Sequence, residues 1–235
     1  MFRVTAVPPA TRSRIARAGW TVRLFDAVPA QLSAARRQIE QALTEQQQAG
    51  LAADARAALD RIAPCIRVGD ALTDAAWVQE NLPEEVAIKR TAFAELDRLA
   101  SPDAILASST SAIVASHFTA DLAGRARCLV VHPVNPPHLV PVVELCGAPW
   151  TSEATLDRAR ITMTSLGQVP IVVRREIDGF VLNRLQGALL SEAMRLVADG
   201  VVAPDDLDKT VRDGLGLRWS FMGPLETIEL NAPGG

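Results

Sequence analysis

The chain has 235 residues, of which 49% are hydrophobic, and 24 lysines and arginines stand against 27 aspartates and glutamates for a formal net charge of -3. That is apolar material for one large domain or two small ones, and slight acidity without a basic run argues against nucleic acid as the main partner. No apolar run approaches the ~20 residues that span a bilayer, the N-terminus lacks the basic and apolar regions of a secretory signal, and Cys65, Cys128 and Cys146 fit small buried hydrophobes in a reducing cytoplasm better than a disulfide framework or a zinc site.

In chain order, Phe2, Val4 and Ala6 alternate with Arg3 and Thr5, a pattern that can supply a first strand. Residues 12–18 read as helix, Gly19 as a break, and residues 21–26 as a strand ending in the acid Asp26. A long Ala/Gln/Glu/Arg-rich stretch, residues 29–59, predicts helix interrupted near Gly50. Short strands are expected over 65–68 and 75–79. An amphipathic helix over 86–99 follows, with Ile88, Phe93, Leu96 and Leu99 near one face. The strand at 104–107 leads into the hydroxyl cluster Ser108-Ser109-Thr110-Ser111, which also has the composition of a helix N-cap. An apolar strand, 128–131, runs into His132; a further apolar segment, 139–145, carries Glu144; then come a helix over 155–166 and a last strand over 169–173.

Strands alternating with helices predict a doubly wound, Rossmann-like α/β parallel sheet over residues 1–174. After Gly179 the pattern turns helical, with a long apolar helix over 180–198, Gly200 as its stop, and a short helix from Leu207 capped by Pro204-Asp205-Asp206. Residues 175–235 are therefore expected to form the start of an all-helical C-terminal domain, with the boundary near 174–178.

The densest chemistry lies in Val131-His132-Pro133-Val134-Asn135-Pro136-Pro137, with Glu144 twelve residues after the histidine. A histidine and a carboxylate inside apolar sequence make a general base with a group to orient it, and an imidazole can cycle its proton around neutral pH. With the upstream hydroxyls and the downstream Asp178-Gly179-Phe180-Val181-Leu182-Asn183-Arg184, the three segments point to a dehydrogenase acting on a hydroxyl carbon. Each residue has a plainer reading. A histidine after an apolar strand is usually structural, Asn183 suits a helix interior, Asp26 a turn, and Glu84 with Lys89 an exposed pair at a helix start. His117 and His138 read as surface or loop residues.

Taken in order, Ser108-Ser109-Thr110-Ser111, His132-Pro133-Val134-Asn135-Pro136-Pro137, Gly179-Phe180-Val181-Leu182-Asn183-Arg184-Leu185-Gln186 and Gly223-Pro224-Leu225-Glu226-Thr227 resemble the 3-hydroxyacyl-CoA dehydrogenase family, from about Arg12 to Gly235. The second and fourth are similar to its lambda-crystallin branch, whose enzymatic activity is L-gulonate 3-dehydrogenase. Arg218-Trp219-Ser220-Phe221-Met222-Gly223 looks like the carnitine branch. The resemblance implies hydride transfer between a secondary alcohol and NAD. It implies that His132 takes the hydroxyl proton, that Glu144 holds the ring, and that Asn135 supports this dyad. Ser111 and Asn183 match positions that hydrogen-bond the reacting oxygen. Asp26 matches the acceptor for the adenosine ribose hydroxyls, favouring NAD over NADP, and Glu84, Lys89 and Ser111 match residues near the cofactor. The substrate implied is a small hydroxy acid or an acyl-CoA, the assembly a homodimer through the C-terminal domain, and no metal, nucleic acid or membrane is called for.

One departure stands out. The family's Gly-x-Gly-x-x-Gly pyrophosphate turn should fall in Val4-Thr5-Ala6-Val7-Pro8-Pro9-Ala10, which has no glycine and two prolines without the N–H a phosphate needs. The chain therefore reads as shortened at both ends, with a first strand from residues 1–7 as a substitute. A non-catalytic structural homologue is the expectation from another functional class.

Overall fold

The computed structural model describes residues 2–5 and 15–231. The chain divides into two compact units, Met1–Val181 and Leu182–Gly235. In the first, strand β1 (Phe2–Thr5) is where the alternating N-terminal pattern places it, and it pairs in parallel with β2 (Val22–Phe25) on one side and β4 (Trp77–Glu80) on the other. Of the segment where a pyrophosphate turn is expected, residues 4–10, Val4 and Thr5 belong to β1 and residues 6–10 lie outside the described residues; of the helix expected over 12–18, residues 15–17 are helical and 12–14 lie outside the described residues.

Helix α1 (Pro29–Gln48) stops at a turn containing Gly50, whose φ of +72° is the left-handed region that glycine enters without steric cost. A second helix, α2 (Ala55–Asp60), begins where Asp54 accepts the Ala57 N–H at 2.8 Å. Strand β3 is Ile62–Cys65, three residues earlier than expected, and Val68–Leu72 is helix α3. Pro64 hid the strand in the sequence. A proline lacks the ladder N–H, yet β3 is the sheet's edge with β2 as its neighbour, where that loss is tolerated. Helix α4 (Val86–Leu99) has the expected bounds, but its buried residues are Lys89, Phe93 and Leu96, a lysine within the apolar stripe.

Strands β5 (Ile105–Ser108), β6 (Cys128–Pro133), β7 (Val142–Gly147) and β8 (Val169–Val173) complete an eight-stranded sheet in the order β3-β2-β1-β4-β5-β6-β7-β8. Between them lie the short helix α5 (Ser116–Thr119) and α6 (Glu153–Ser165), the latter capped by Ser152. One pair departs from the all-parallel expectation: β7 runs antiparallel to β6. Both faces of the sheet are covered. Trp77, Ile105 and Leu129 point into one core and Val78, Leu106 and Val130 into the other, which explains unbroken apolar strands. Each such side chain contributes about 1.5–3 kcal/mol on burial. Cys128 and Cys146 lie in this interior, and desolvation pushes both thiols up to about 12, so neither supplies a thiolate near neutral pH.

The second unit contains helices α7 (Leu182–Ala198), α8 (Pro204–Lys209), a π-helical stretch over Thr210–Gly216 that runs into α9 (Leu217–Trp219), and α10 (Pro224–Asn231). Helix α7 begins two residues later than the sequence pattern suggests, because Gly179 and Phe180 both take positive φ and form a turn. Among the described residues, no helix is long and apolar enough to cross a membrane, and no cluster of three or more His, Cys, Asp or Glu side chains is placed to hold a metal ion.

Candidate active site

The antiparallel step between β6 and β7 creates the central pair. Its register sets His132 directly opposite Glu144, and residues opposite one another on such strands share a face of the sheet. The spacing of twelve is thus the length of a hairpin. His132 Nδ1 lies 2.7 Å from Glu144 Oε2, with the carboxylate fully buried and the imidazole nearly so. A carboxylate only accepts, so the neutral ring carries its proton on Nδ1 and leaves Nε2 bare.

The second oxygen of the carboxylate is also held. Glu144 Oε1 accepts the Val181 N–H at 2.9 Å. That amide is delivered by the Gly179-Phe180 turn, at φ +73° and +49°. Left-handed backbone at a phenylalanine costs on the order of 1–3 kcal/mol. The Phe180 ring offsets this by complete burial, and its centroid lies 5.8 Å from that of His132. The dyad is therefore braced from a third segment. Asn135 lines the same cavity as His132, but among the described residues it forms no hydrogen bond to either member.

The hydroxyl cluster follows β5, at the C-terminal edge of the parallel strands. Thr110 Oγ1 accepts the Ala112 and Ile113 N–H groups at 3.3 and 2.9 Å, so the cap-like reading holds for Thr110 over a turn, while the helix itself waits until Ser116. Glu84 is not paired with Lys89, as the plainer reading had it. Its carboxylate accepts the Thr110 hydroxyl at 2.6 Å and the Ser111 N–H at 2.7 Å, with the Ser111 hydroxyl at 3.4 Å. Glu84 thus fixes the turn that presents Ser111. Together Asn81, Glu84, Ser109, Ser111, His132 and Asn135 wall a cavity of about 260 Å³.

Lys89 is fully buried, and its ammonium sits 3.1 Å from both carboxylate oxygens of Glu80. Glu80 also accepts the Ser108 hydroxyl at 2.6 Å and the Leu82 N–H. Glu80 lines a second, mostly apolar cavity of about 500 Å³, walled by Phe25, Val68, Ile88 and Thr91 and edged by Asp26. Leu82 borders both cavities. Asp26 follows β2, where its Oδ1 accepts the Val28 N–H at 2.8 Å. An apolar slot ending in a carboxylate, beside the point where strand order reverses between β1 and β4, fits an adenosine with its ribose hydroxyls on Asp26. Asn183 is the second residue of α7 and belongs to the other unit. His117 is on α5, and His138 is in the β6–β7 loop, half-buried.

Glu80 and its neighbour Gln79 were not foreseen. The available signal was polar Gln-Glu ending a four-residue strand buried on both faces, since polar groups at the C-terminal ends of parallel strands mark ligand crevices in such sheets.

Comparison with known proteins gives the family. The profile of the 3-hydroxyacyl-CoA dehydrogenase NAD binding domain matches residues 11–177, and that of the 3-hydroxyacyl-CoA dehydrogenase C-terminal domain matches residues 179–234. Lambda-crystallin of Oryctolagus cuniculus is 44% identical over 222 residues, covering 93% of this chain and 70% of that protein. An L-carnitine dehydrogenase of a Pseudomonas species is 38% identical over 212 residues, covering 90% of this chain and 65% of the relative. The crystal structure of 5-formyl-3-hydroxy-2-methylpyridine 4-carboxylic acid 5-dehydrogenase, an NAD+ dependent dismutase, superposes with a TM-score of 0.89 at 32% identity, covering 98% of this chain and 75% of that one. The chain belongs to the 3-hydroxyacyl-CoA dehydrogenase family, and NAD is the cofactor of its sheet domain.

Proposed function

We propose that this chain is an NAD-dependent dehydrogenase that oxidises the 3-hydroxyl of a small hydroxy acid, with L-gulonate as the first candidate. The observation that carries the reading is the buried His132–Glu144 pair opening on a compact cavity. NAD, when bound, supplies the acceptor for the hydride. His132 Nε2 receives the hydroxyl proton, because Nδ1 is committed to Glu144. The carboxylate stabilises the imidazolium that results and keeps the ring from turning. Ser111 offers its hydroxyl to the reacting oxygen, with Glu84 holding its turn in place. Asn183 is proposed for the same oxygen and Asn135 for support of the dyad. Asp26 accepts the ribose hydroxyls, and Glu84 and Lys89 belong to the nicotinamide end, Lys89 acting through Glu80.

A compact hydroxy acid suits the smaller cavity, whose named wall residues include no lysine or arginine to meet the phosphates of an acyl-CoA. L-Carnitine is the second reading, supported by the relative of that activity. The test is titration with NADH, following nicotinamide fluorescence with NADPH as control, then turnover with L-gulonate, L-carnitine and 3-hydroxybutyryl-CoA. Saturable binding at least about tenfold tighter for NADH is expected, since a 2'-phosphate would meet the Asp26 carboxylate. L-Gulonate should give the highest kcat/KM. A folded chain that binds no NADH would instead be the structural homologue.

We also propose a homodimer through the second unit. Leu185, Leu190 and Met194 on α7 remain 65%, 47% and 69% exposed, apolar surface that a partner subunit would cover. Light scattering behind size exclusion should give twice the chain mass; a well-behaved monomer would refute the assembly.

A further inference from the structure

Gln79 is a buried polar side chain that the chemistry above does not use. It is 3% exposed. Its carboxamide meets Trp77 Nε1 at 2.9 Å, Ser109 Oγ at 2.6 Å and the Val131 carbonyl at 3.1 Å. Its orientation is fixed from two sides. An indole N–H only donates and a main-chain carbonyl only accepts, so Oε1 faces Trp77 and Nε2 faces Val131. The other Nε2 hydrogen goes to Ser109, whose oxygen must therefore accept.

A hydroxyl has one hydrogen. That of Ser109 is left pointing away from Gln79, and no acceptor takes it among the described residues. Ser109 stands on the wall of the cavity that holds Ser111 and His132. Gln79 also grips the carbonyl of Val131, the residue before His132, so donor and base are held by one carboxamide.

The geometry points to Ser109 as a ligand-binding donor whose O–H meets a carbonyl or carboxylate oxygen of the molecule bound beside His132, with Gln79 as the positioning residue that fixes its polarity. This rests on the proposed dehydrogenase reading, and two sources share the chemistry: the nicotinamide carboxamide and the carboxylate of the hydroxy acid. Ser111 addresses the reacting oxygen in that reading; Ser109 addresses a different one.

The test compares Ser109→Ala, Ser109→Thr and Gln79→Glu with wild type, reading the NADH dissociation constant by fluorescence and KM for L-gulonate. If the oxygen is the carboxamide, Ser109→Ala weakens NADH by about 3- to 10-fold. If it is the carboxylate, NADH affinity holds and KM rises by about tenfold or more, as for a hydrogen bond to a charged group. Ser109→Thr retains the hydroxyl and should behave as wild type. Gln79→Glu puts an acceptor against Ser109 and turns its proton inward, so it should show the binding loss of Ser109→Ala, with a further fall in turnover from the lost bond to the Val131 carbonyl. Ser109→Ala within about twofold of wild type on both readouts overturns the proposal, as does a loss that Ser109→Thr shares, which would reflect packing. The Ser109 pair leaves the Gln79–Val131 bond intact and decides the matter even if Gln79→Glu melts early. A wild type that binds NADH but turns over no hydroxy acid would count against the substrate, not against Ser109, which the NADH comparison then decides. A wild type that binds no NADH overturns both.

Discussion

His132→Ala is expected to lower turnover by at least ~100-fold, the usual contribution of a positioned general base, while the dissociation constant of NADH stays within twofold. The imidazole lines the smaller cavity, whereas Asp26, the proposed ribose acceptor, edges the other, so the two readouts should separate. Glu144→Gln is the sharper variant. Val181 N–H only donates, and it holds one end of the side chain at 2.9 Å, so a glutamine must place its oxygen there. Its NH2 group then faces His132 Nδ1 and forces the proton onto Nε2, the wrong tautomer for a base. A loss of about 10³–10⁴ is expected, as when an orienting carboxylate becomes an amide in a catalytic triad. Steady-state kinetics with the hydroxy acid, alongside NADH fluorescence, checks both. Wild-type turnover in His132→Ala would remove the residue from the mechanism.

What the sequence made legible follows from how local each signal is. The helix over Val86–Leu99 was readable to the residue because a 3.6-residue apolar stripe needs no knowledge of its partner. The spacing of His132 and Glu144 was readable as a pair, but not as a hairpin. An antiparallel return between β6 and β7 is a property of the sheet, and the apolar run carrying Glu144 looks the same in either direction. Strand β3 was displaced because Pro64 is a breaker everywhere except at an edge. The brace on Glu144 was invisible for a different reason. It is a backbone amide, Val181 N–H, and its delivery depends on positive φ at a phenylalanine, which sequence disfavours. Lys89 was the hardest case. Solvation predicts an exposed lysine at a helix start, and only the counter-charge of Glu80, supplied from the end of the preceding strand, makes burial possible.

That burial carries the second large expectation. Lys89→Met keeps the length of the side chain and adds no polar group, yet it should destabilise the sheet unit by about 3–5 kcal/mol, because a buried carboxylate loses its cation. Glu80 would retain the Ser108 hydroxyl and the Leu82 N–H, neutral donors that cannot balance its charge in the interior. The double variant Glu80→Gln with Lys89→Met should recover most of the loss. Its amide oxygen can accept the Leu82 N–H and its NH2 can donate to Ser108, whose hydroxyl turns from donor to acceptor, so no charge is buried and the remaining loss is the Lys89 bond to the Leu82 carbonyl. Urea unfolding followed by tryptophan fluorescence reads this directly, with Trp77 at 1% exposure among the reporters. A single variant that loses less than about 1 kcal/mol, or a double that is no better than the single, would mean that the pair does not hold this end of β4. The consequence reaches the site. Glu80 fixes Leu82, and Leu82 borders both cavities. The single variant should therefore also weaken NADH, and the double should restore it in step with stability.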